Sequence, residues 1–395
     1  MSDRILHLIK DFSPPSQTFI YDLINSLENS SSDSLHIVGF YRKRVLAGER
    51  NCREVVSVSK RRDILGRLMR FLYFKGNAQQ EVSGNLHKLI NKLNPQLIHA
   101  HFAWTVWDLL IPYSQYYPLE TPVLVSIHGT DLLKTAKQSD KKRTSLINFS
   151  ETFRTHFTVA NNFMFEELVK IGIPDTKIRK VAYSISDNFK LKEDKQAIEK
   201  TTQNCEIYRI ACIGRLVKWK GQRYLIEAVS HLIKKEQVNC MLTLIGDGSE
   251  RKDLEALVKN LQIEDSVQFS GFIDHLKIPQ ILFLQNVYVQ PSIYDEATGQ
   301  CEAFGISILE AISCGLPVIA SRSGGIPEVV GEGSEFSTLV KPADSDELYS
   351  ALLNFYHSNI SRKNNLIYAK KRLSLFSKQK QMDKIKLAYA SLLSK

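Results

Sequence analysis

The chain lacks several things whose absence narrows its class. No apolar run in its 395 residues approaches the roughly 20 needed to cross a bilayer, so a membrane-spanning helix is not expected. The first nine residues have no long apolar stretch and no small-residue cleavage site, and read as a first strand rather than a secretion signal. Cysteine is sparse: Cys52, Cys205, Cys212, Cys240, Cys301 and Cys314 include no Cys-x-x-Cys pair and none at zinc-finger spacing from a histidine. That excludes a disulfide framework and a structural zinc module, and leaves reduced thiols of a cytoplasmic protein, partly in cores. There is no internal repeat, no low-complexity tract and no nucleic-acid-binding motif.

What is present suits a globular protein of two domains. Hydrophobic residues make up 43% and charged residues 24%, and the length exceeds one ordinary α/β core. The net charge of +10 is uneven: residues 42–75 hold 11 basic and 3 acidic residues, equal to the whole excess of residues 1–190 (26 basic, 18 acidic). A local basic patch points to an anionic partner at one place rather than to general nucleic-acid binding.

Short apolar runs at 4–9, 35–40, 97–100, 123–127 and 157–160 alternate with helical patterns such as 18–27 and 81–93. Residues 191–206 are polar and unpatterned, and read as a linker. The alternation restarts with strands expected at 208–213, 240–245, 267–269, 287–290 and 317–320, and helices at 221–235, 250–261, 307–313 and 346–356. The expected organisation is an α/β protein of two doubly wound, Rossmann-like domains, 1–190 and 207–375, with parallel sheets facing an interdomain cleft.

Three motifs of the second half carry chemistry. A loop with Glu302, Phe304 and Gly305 leads into an apolar helix from about Ile306, with Glu310 on it. A helix start offers amides to an anion, glycine allows close approach, and two separated carboxylates suit the hydroxyls of one long ligand. Gly214-Arg215, followed by Lys220-Gly221, sits between a strand and a helix and offers a guanidinium fork and a point charge to phosphate. Gly246-Asp247-Gly248 is a glycine-bearing turn after the next strand. Singly, each also reads as an ordinary helix start, a solvated basic turn or a plain connection.

Together, over residues 208–345, they resemble the retaining glycosyltransferases of family 4, which have the GT-B fold. Arg215 and Lys220 match that family's donor-diphosphate pair, Glu302 and Glu310 its paired glutamates, Gly246-Asp247-Gly248 its turn, and Gly324-Gly325-Ile326-Pro327-Glu328 its later loop. The resemblance implies a nucleotide-sugar substrate held mainly by the second domain, and a last helix over 376–395 that returns to the first domain. Glu310 would then lie on the ribose, Glu302 on the transferred sugar, and the amides around Phe304, Gly305 and Ile306 at the diphosphate. It implies no cofactor and no metal, since no Asp-x-Asp stands where a magnesium anchor would; Asp295-Glu296 is the nearest acidic pair.

In the first domain, His99 and His101 end one strand, and Ile127-His128-Gly129-Thr130-Asp131 ends another. No histidine–carboxylate set there has a metal-site spacing. His128 matches the family's His-Gly position near the donor sugar and leaving phosphate, with Asp131 as companion. The opening loop, Asp11 to Ile20 with Pro14, Pro15 and a capping Ser16, departs from the family's glycine-rich loop and looks like the exopolysaccharide and colanic-acid subgroup. That implies a saccharide or lipid-linked saccharide acceptor and a cytoplasmic, peripheral-membrane location. Residues 60–75 mix Ile64, Leu65, Leu68, Met69 and Leu72 at helical spacing with four arginines. The pattern fits an interfacial helix drawn to anionic lipid, and equally an ordinary helix with a basic rim. Three rival activities share such a fold: a sugar-nucleotide epimerase, a phosphorylase, and an inactive sugar-nucleotide-binding subunit.

Overall fold

The computed structural model describes residues 4–12, 17–30, 35–44, 54–58, 77–189, 207–331, 334, 336–358 and 362–394. The opening-loop residues 13–16 with Ser16, the basic segment 60–75, the linker 191–206, Cys52 and Cys205 lie outside them. Two compact units result: Met1–Ser184 with Lys378–Lys395, and Ile185–Ser377. The first changeover falls after Ser184, ahead of the point where composition becomes polar.

The first unit is built on seven parallel strands. They are β1 (Arg4–Phe12), β2 (Leu35–Arg44), β3 (Glu54–Ser57), β4 (Leu97–His101), β5 (Val123–Ser126), β6 (Thr155–Val159) and β7 (Ile178–Lys180), ordered β3-β2-β1-β4-β5-β6-β7. The second has six: β8 (Tyr208–Ile213), β9 (Cys240–Ile245), β10 (Val267–Gly271), β11 (Val287–Gln290), β12 (Val318–Ser321) and β13 (Ser337–Val340), ordered β10-β9-β8-β11-β12-β13. The continuous apolar runs become central strands buried on both faces, as the successive residues Ile210 and Ala211 of β8 and Tyr288 and Val289 of β11 are. In each sheet the order reverses beside the first strand of the unit, between β1 and β4 and between β8 and β11. Loops leaving carboxyl ends at such a switch point part, which is where open α/β sheets bind ligands.

Helix Gln222–Glu236 covers one face of the second sheet with Leu225, Ile226, Val229 and Leu232, all buried at helical spacing. Helix Lys378–Leu393 belongs to the first unit. Its Ile385, Ala388, Tyr389 and Leu392 pack on Ile5, Leu23, Leu27, Leu97 and Leu124. Burying each large side chain there is worth about 1.5–3 kcal/mol, enough to hold a helix of modest amphipathicity.

Candidate functional site

The second unit gathers the three motifs around the switch point. Lys220 closes the short turn Lys218–Lys220, which Gly221 ends at φ +70°. Its Nζ donates to Glu302 Oε2 at 2.5 Å, with the two side chains only 11% and 12% exposed. The same ammonium lies 4.6 Å from the centre of the Trp219 ring, and the Arg215 guanidinium lies 5.6 Å from it. One indole thus brings both expected cations together. Lys220 is already neutralised by Glu302, whereas the exposed Arg215 has no carboxylate partner among the described residues.

Glycine makes this closeness feasible. A Cβ on Gly246 (φ +133°) would sit 2.1 Å from the Gly214 carbonyl oxygen, and one on Gly324 (φ +54°) 2.1 Å from that of Glu302. Neither clash can be relieved by a side chain, because the opposing atom is backbone. Gly325 N–H donates to the Glu302 carbonyl at 2.9 Å, and Leu216 N–H to that of Asp247 at 3.0 Å, so neighbouring loops hold each other. The Asp247 side chain accepts the Gly248 amide at 2.7 Å and shapes its own turn.

Helix Ile306–Ser313 begins at Gly305 (φ +100°) with no side-chain cap; the Ile308 amide turns back to the Gly305 carbonyl at 3.0 Å, which leaves those of Ile306 and Ser307 for solvent or a ligand. Beneath it lies a buried cluster. The Tyr288 hydroxyl donates to Gln290 Oε1 at 2.6 Å, lies 2.8 Å from Ser307 Oγ, and Gln290 Nε2 donates to Ser292 Oγ at 2.8 Å. Burial, then Cys212 and the carboxylates of Glu310 and Glu302, hold the Tyr288 phenol well above its ordinary range. Both glutamates therefore act on the same hydroxyl.

Glu310 is tied by a residue that no motif singles out. Its Oε1 lies 2.7 Å from His275 Nε2, with the glutamate side chain 8% exposed. His275 sits on a short turn whose start Asp274 caps, outside every recognised motif. Asp295 also resolves as structural. It is buried, accepts the Thr298 hydroxyl at 2.5 Å and faces Lys218 at 3.7 Å. Phe304 is buried and packs edge-on to Phe376.

In the first unit, His128 follows β5, with Nδ1 at 2.6 Å from the Tyr183 hydroxyl and its ring against Phe19 and Phe102. Asp131 accepts the amides of Ala103 (2.8 Å), Gly129 (2.9 Å) and His128 (3.2 Å). It therefore organises the backbone of both loops. Burial pushes its carboxyl up to about 6 against the pull of those amides. Phe102, the residue before Ala103, has φ +68°, a costly setting for a residue with a side chain.

More histidines meet here than the motifs suggested. His7 faces His99 in register across β1 and β4, and His101 lies two residues further along β4 on the same face. His7 contacts His36 and His101, while His99 contacts Tyr389 and Ser126. Strand alternation and register carry this signal; sequence proximity hides it. Donor atoms of His7, His99 and His101 lie within 4.8 Å of one another, a metal-triad spacing that chain order alone did not reveal. Yet both nitrogens of His99 are already engaged, at 2.8 Å with the Tyr389 hydroxyl and at 2.7 Å with that of Ser126. The residues fit a hydrogen-bonded network better than a metal centre.

Residues 193–372 match the family described as glycosyl transferases group 1. The chain is similar to the N-acetyl-alpha-D-glucosaminyl L-malate synthase of Bacillus anthracis, 27% identical over 64% of this chain and 63% of that one. It is also similar to the alpha-D-kanosaminyltransferase of Streptomyces kanamyceticus, 26% identical over 65% and 66%. The matches thus span just under two thirds of these relatives' own lengths. Among solved structures, Anabaena HepE in complex with UDP superposes with a TM-score of 0.75 over 98% of this chain and all of that one, at 20% identity. The fold class expected from the sequence, two Rossmann-like α/β domains of the GT-B kind, is the fold found.

Proposed function

We propose that the chain is a retaining glycosyltransferase that moves a sugar from a nucleotide-sugar donor to a saccharide acceptor, without a metal ion. The observation that carries this reading is the meeting of Arg215, Lys220 and Glu302 around Trp219, beside an uncapped helix start, inside the stretch that matches group 1. A structural neighbour solved with UDP and relatives named for amino-sugar products or transfer support a nucleotide-sugar donor.

In this reading the anomeric C–O bond to the diphosphate breaks and a new bond to the acceptor oxygen forms on the same face. The acceptor's proton passes to the leaving phosphate oxygen. Arg215, Lys220 and the amides near Ile306 stabilise the charge that gathers on the departing diphosphate. Glu302, held by Lys220, orients the sugar hydroxyls; Glu310, held by His275, takes the ribose. His128 is assigned to the reaction by its His-Gly match, and Gly214, Gly246 and Asp247 shape the donor loop. A lipid-linked acceptor in cell-surface polysaccharide assembly accords with the opening loop and with residues 60–75, both read from sequence alone.

A thermal-shift screen against UDP-, GDP-, ADP- and dTDP-sugars, followed by NMR of the product anomer, tests the proposal. One donor class should raise the melting temperature and yield product with the donor's anomeric configuration. An inverted product would refute retention, and stabilisation by none would refute the donor reading.

A further inference from the structure

His36, His7 and His101 form a line of buried imidazoles. His36 Nδ1 lies 2.9 Å from His7 Nε2, and His7 Nδ1 lies 3.1 Å from His101 Nε2. Their exposures are 3%, 0% and 1%. The remaining His101 nitrogen, Nδ1, is buried without a hydrogen-bond partner among the described residues, and so is His128 Nε2. The two rings stack with centres 5.8 Å apart and planes 11° apart. Both line one cavity with Ser126, Thr158, Tyr183 and Gln381, which has room for a single water molecule. Each of these buried nitrogens has lost water without gaining a partner, and a water placed between them would serve both.

We propose that one bound water joins His101 Nδ1 to His128 Nε2, and that the imidazole line decides whether this water meets an N–H or a lone pair. Burial keeps His7, His101 and His128 well below the usual imidazole range, so these rings stay neutral. A neutral ring has one N–H and one lone pair. Two contacts in series then allow two arrangements. In the first, His36, His7 and His101 are all protonated at Nδ1, and His101 donates to the water. In the second, all three are protonated at Nε2, and His101 accepts from it. A mixed set would oppose two N–H groups or two lone pairs inside the sheet. The site stands whether or not the second unit binds a donor.

The test is two-bond ¹H–¹⁵N NMR of the full chain labelled at histidine, at neutral pH. His7 and His101 should show the same tautomer in the unsubstituted protein. His101→Gln keeps a polar atom toward His7 but has none at the Nδ1 position, and should move the His128 Nε2 resonance. His101→Asn keeps the polar atom on the cavity side, and should leave His128 near its original shift while freeing His7 to populate both tautomers. Opposite tautomers for His7 and His101 would overturn the proposal. So would an unmoved His128 in His101→Gln, or one equivalent of metal retained through chelation and dialysis.

Discussion

At the scale of single residues, charge placement decides the outcome. Removing Lys220 leaves Glu302 as a nearly buried carboxylate without its cation; removing Arg215 takes away an exposed charge that no carboxylate partners among the described residues. Arg215→Ala should therefore leave the melting temperature within a few degrees while cutting kcat/KM for the donor by 100-fold or more, on the order of 3 kcal/mol of transition-state stabilisation. Lys220→Ala should lose at least as much and also destabilise the fold, since a broken buried pair costs about 3–5 kcal/mol. The buried histidines set the pH response. His101 is lowered to about 3 from 6.5 by burial, and His7, His99 and His128 are held well below 6.5. Between those limits the unfolded chain binds protons that the native one refuses, so stability rises with pH by about 1.4 kcal/mol per unit for each imidazole. Asp131, raised to about 6 from 3.8, works with the opposite sign, losing its contribution as pH rises through 6. Denaturant melts from pH 4.5 to 7 should thus show a net gain with pH. His101→Gln should flatten that gain, and an unchanged slope would contradict the assignment. The motif residues were legible because charge, glycine and spacing coincide there. His275 and His36 were not, because each reaches its partner through the fold rather than through a pattern.

At the scale of elements, two backbone clashes and one helix carry the predictions. Gly324→Ala places a methyl 2.1 Å from the Glu302 carbonyl oxygen, so the loop bearing Glu302 must move. Donor turnover should fall by tenfold or more, with stability down by about 1–3 kcal/mol. Gly271→Ala is the control: its φ is +64°, but the nearest atom would be 3.7 Å away, so strain of about 1 kcal/mol is expected and activity should persist. Tyr389→Phe removes the hydroxyl that lies 2.8 Å from buried His99, and should cost the first unit about 1–3 kcal/mol in chemical denaturation. Periodicity located the central strands and the main helices to within a few residues. It missed β3, β7 and β13, which are three or four residues long, and β7 carries Arg179 and Lys180 at a sheet edge. Such strands owe their form to a neighbour's register, not to their own pattern.

At the scale of the whole molecule, the doubling of a strand–helix alternation told of two α/β units. Their composition did not tell that the last helix, Lys378–Leu393, returns to the first unit; that expectation came from family resemblance, and the apolar face formed by Ile385, Ala388, Tyr389 and Leu392 supplies the physical reason. No helix among the described residues is long and apolar enough to cross a membrane. The route to lipid proposed from sequence is residues 60–75, which lie outside the described residues. Co-sedimentation with anionic vesicles at low salt, lost at high salt, is the expected result; equal binding to neutral vesicles would remove the electrostatic reading. The claim on which the rest depends is that Arg215 and Lys220 receive a nucleoside diphosphate. Isothermal titration of UDP and GDP, with and without EDTA, into the unsubstituted protein and into Arg215→Ala tests it most directly. The account predicts metal-independent binding of at least one nucleotide, weakened tenfold or more by the substitution; equal affinity in both proteins, or binding abolished by EDTA, would contradict it.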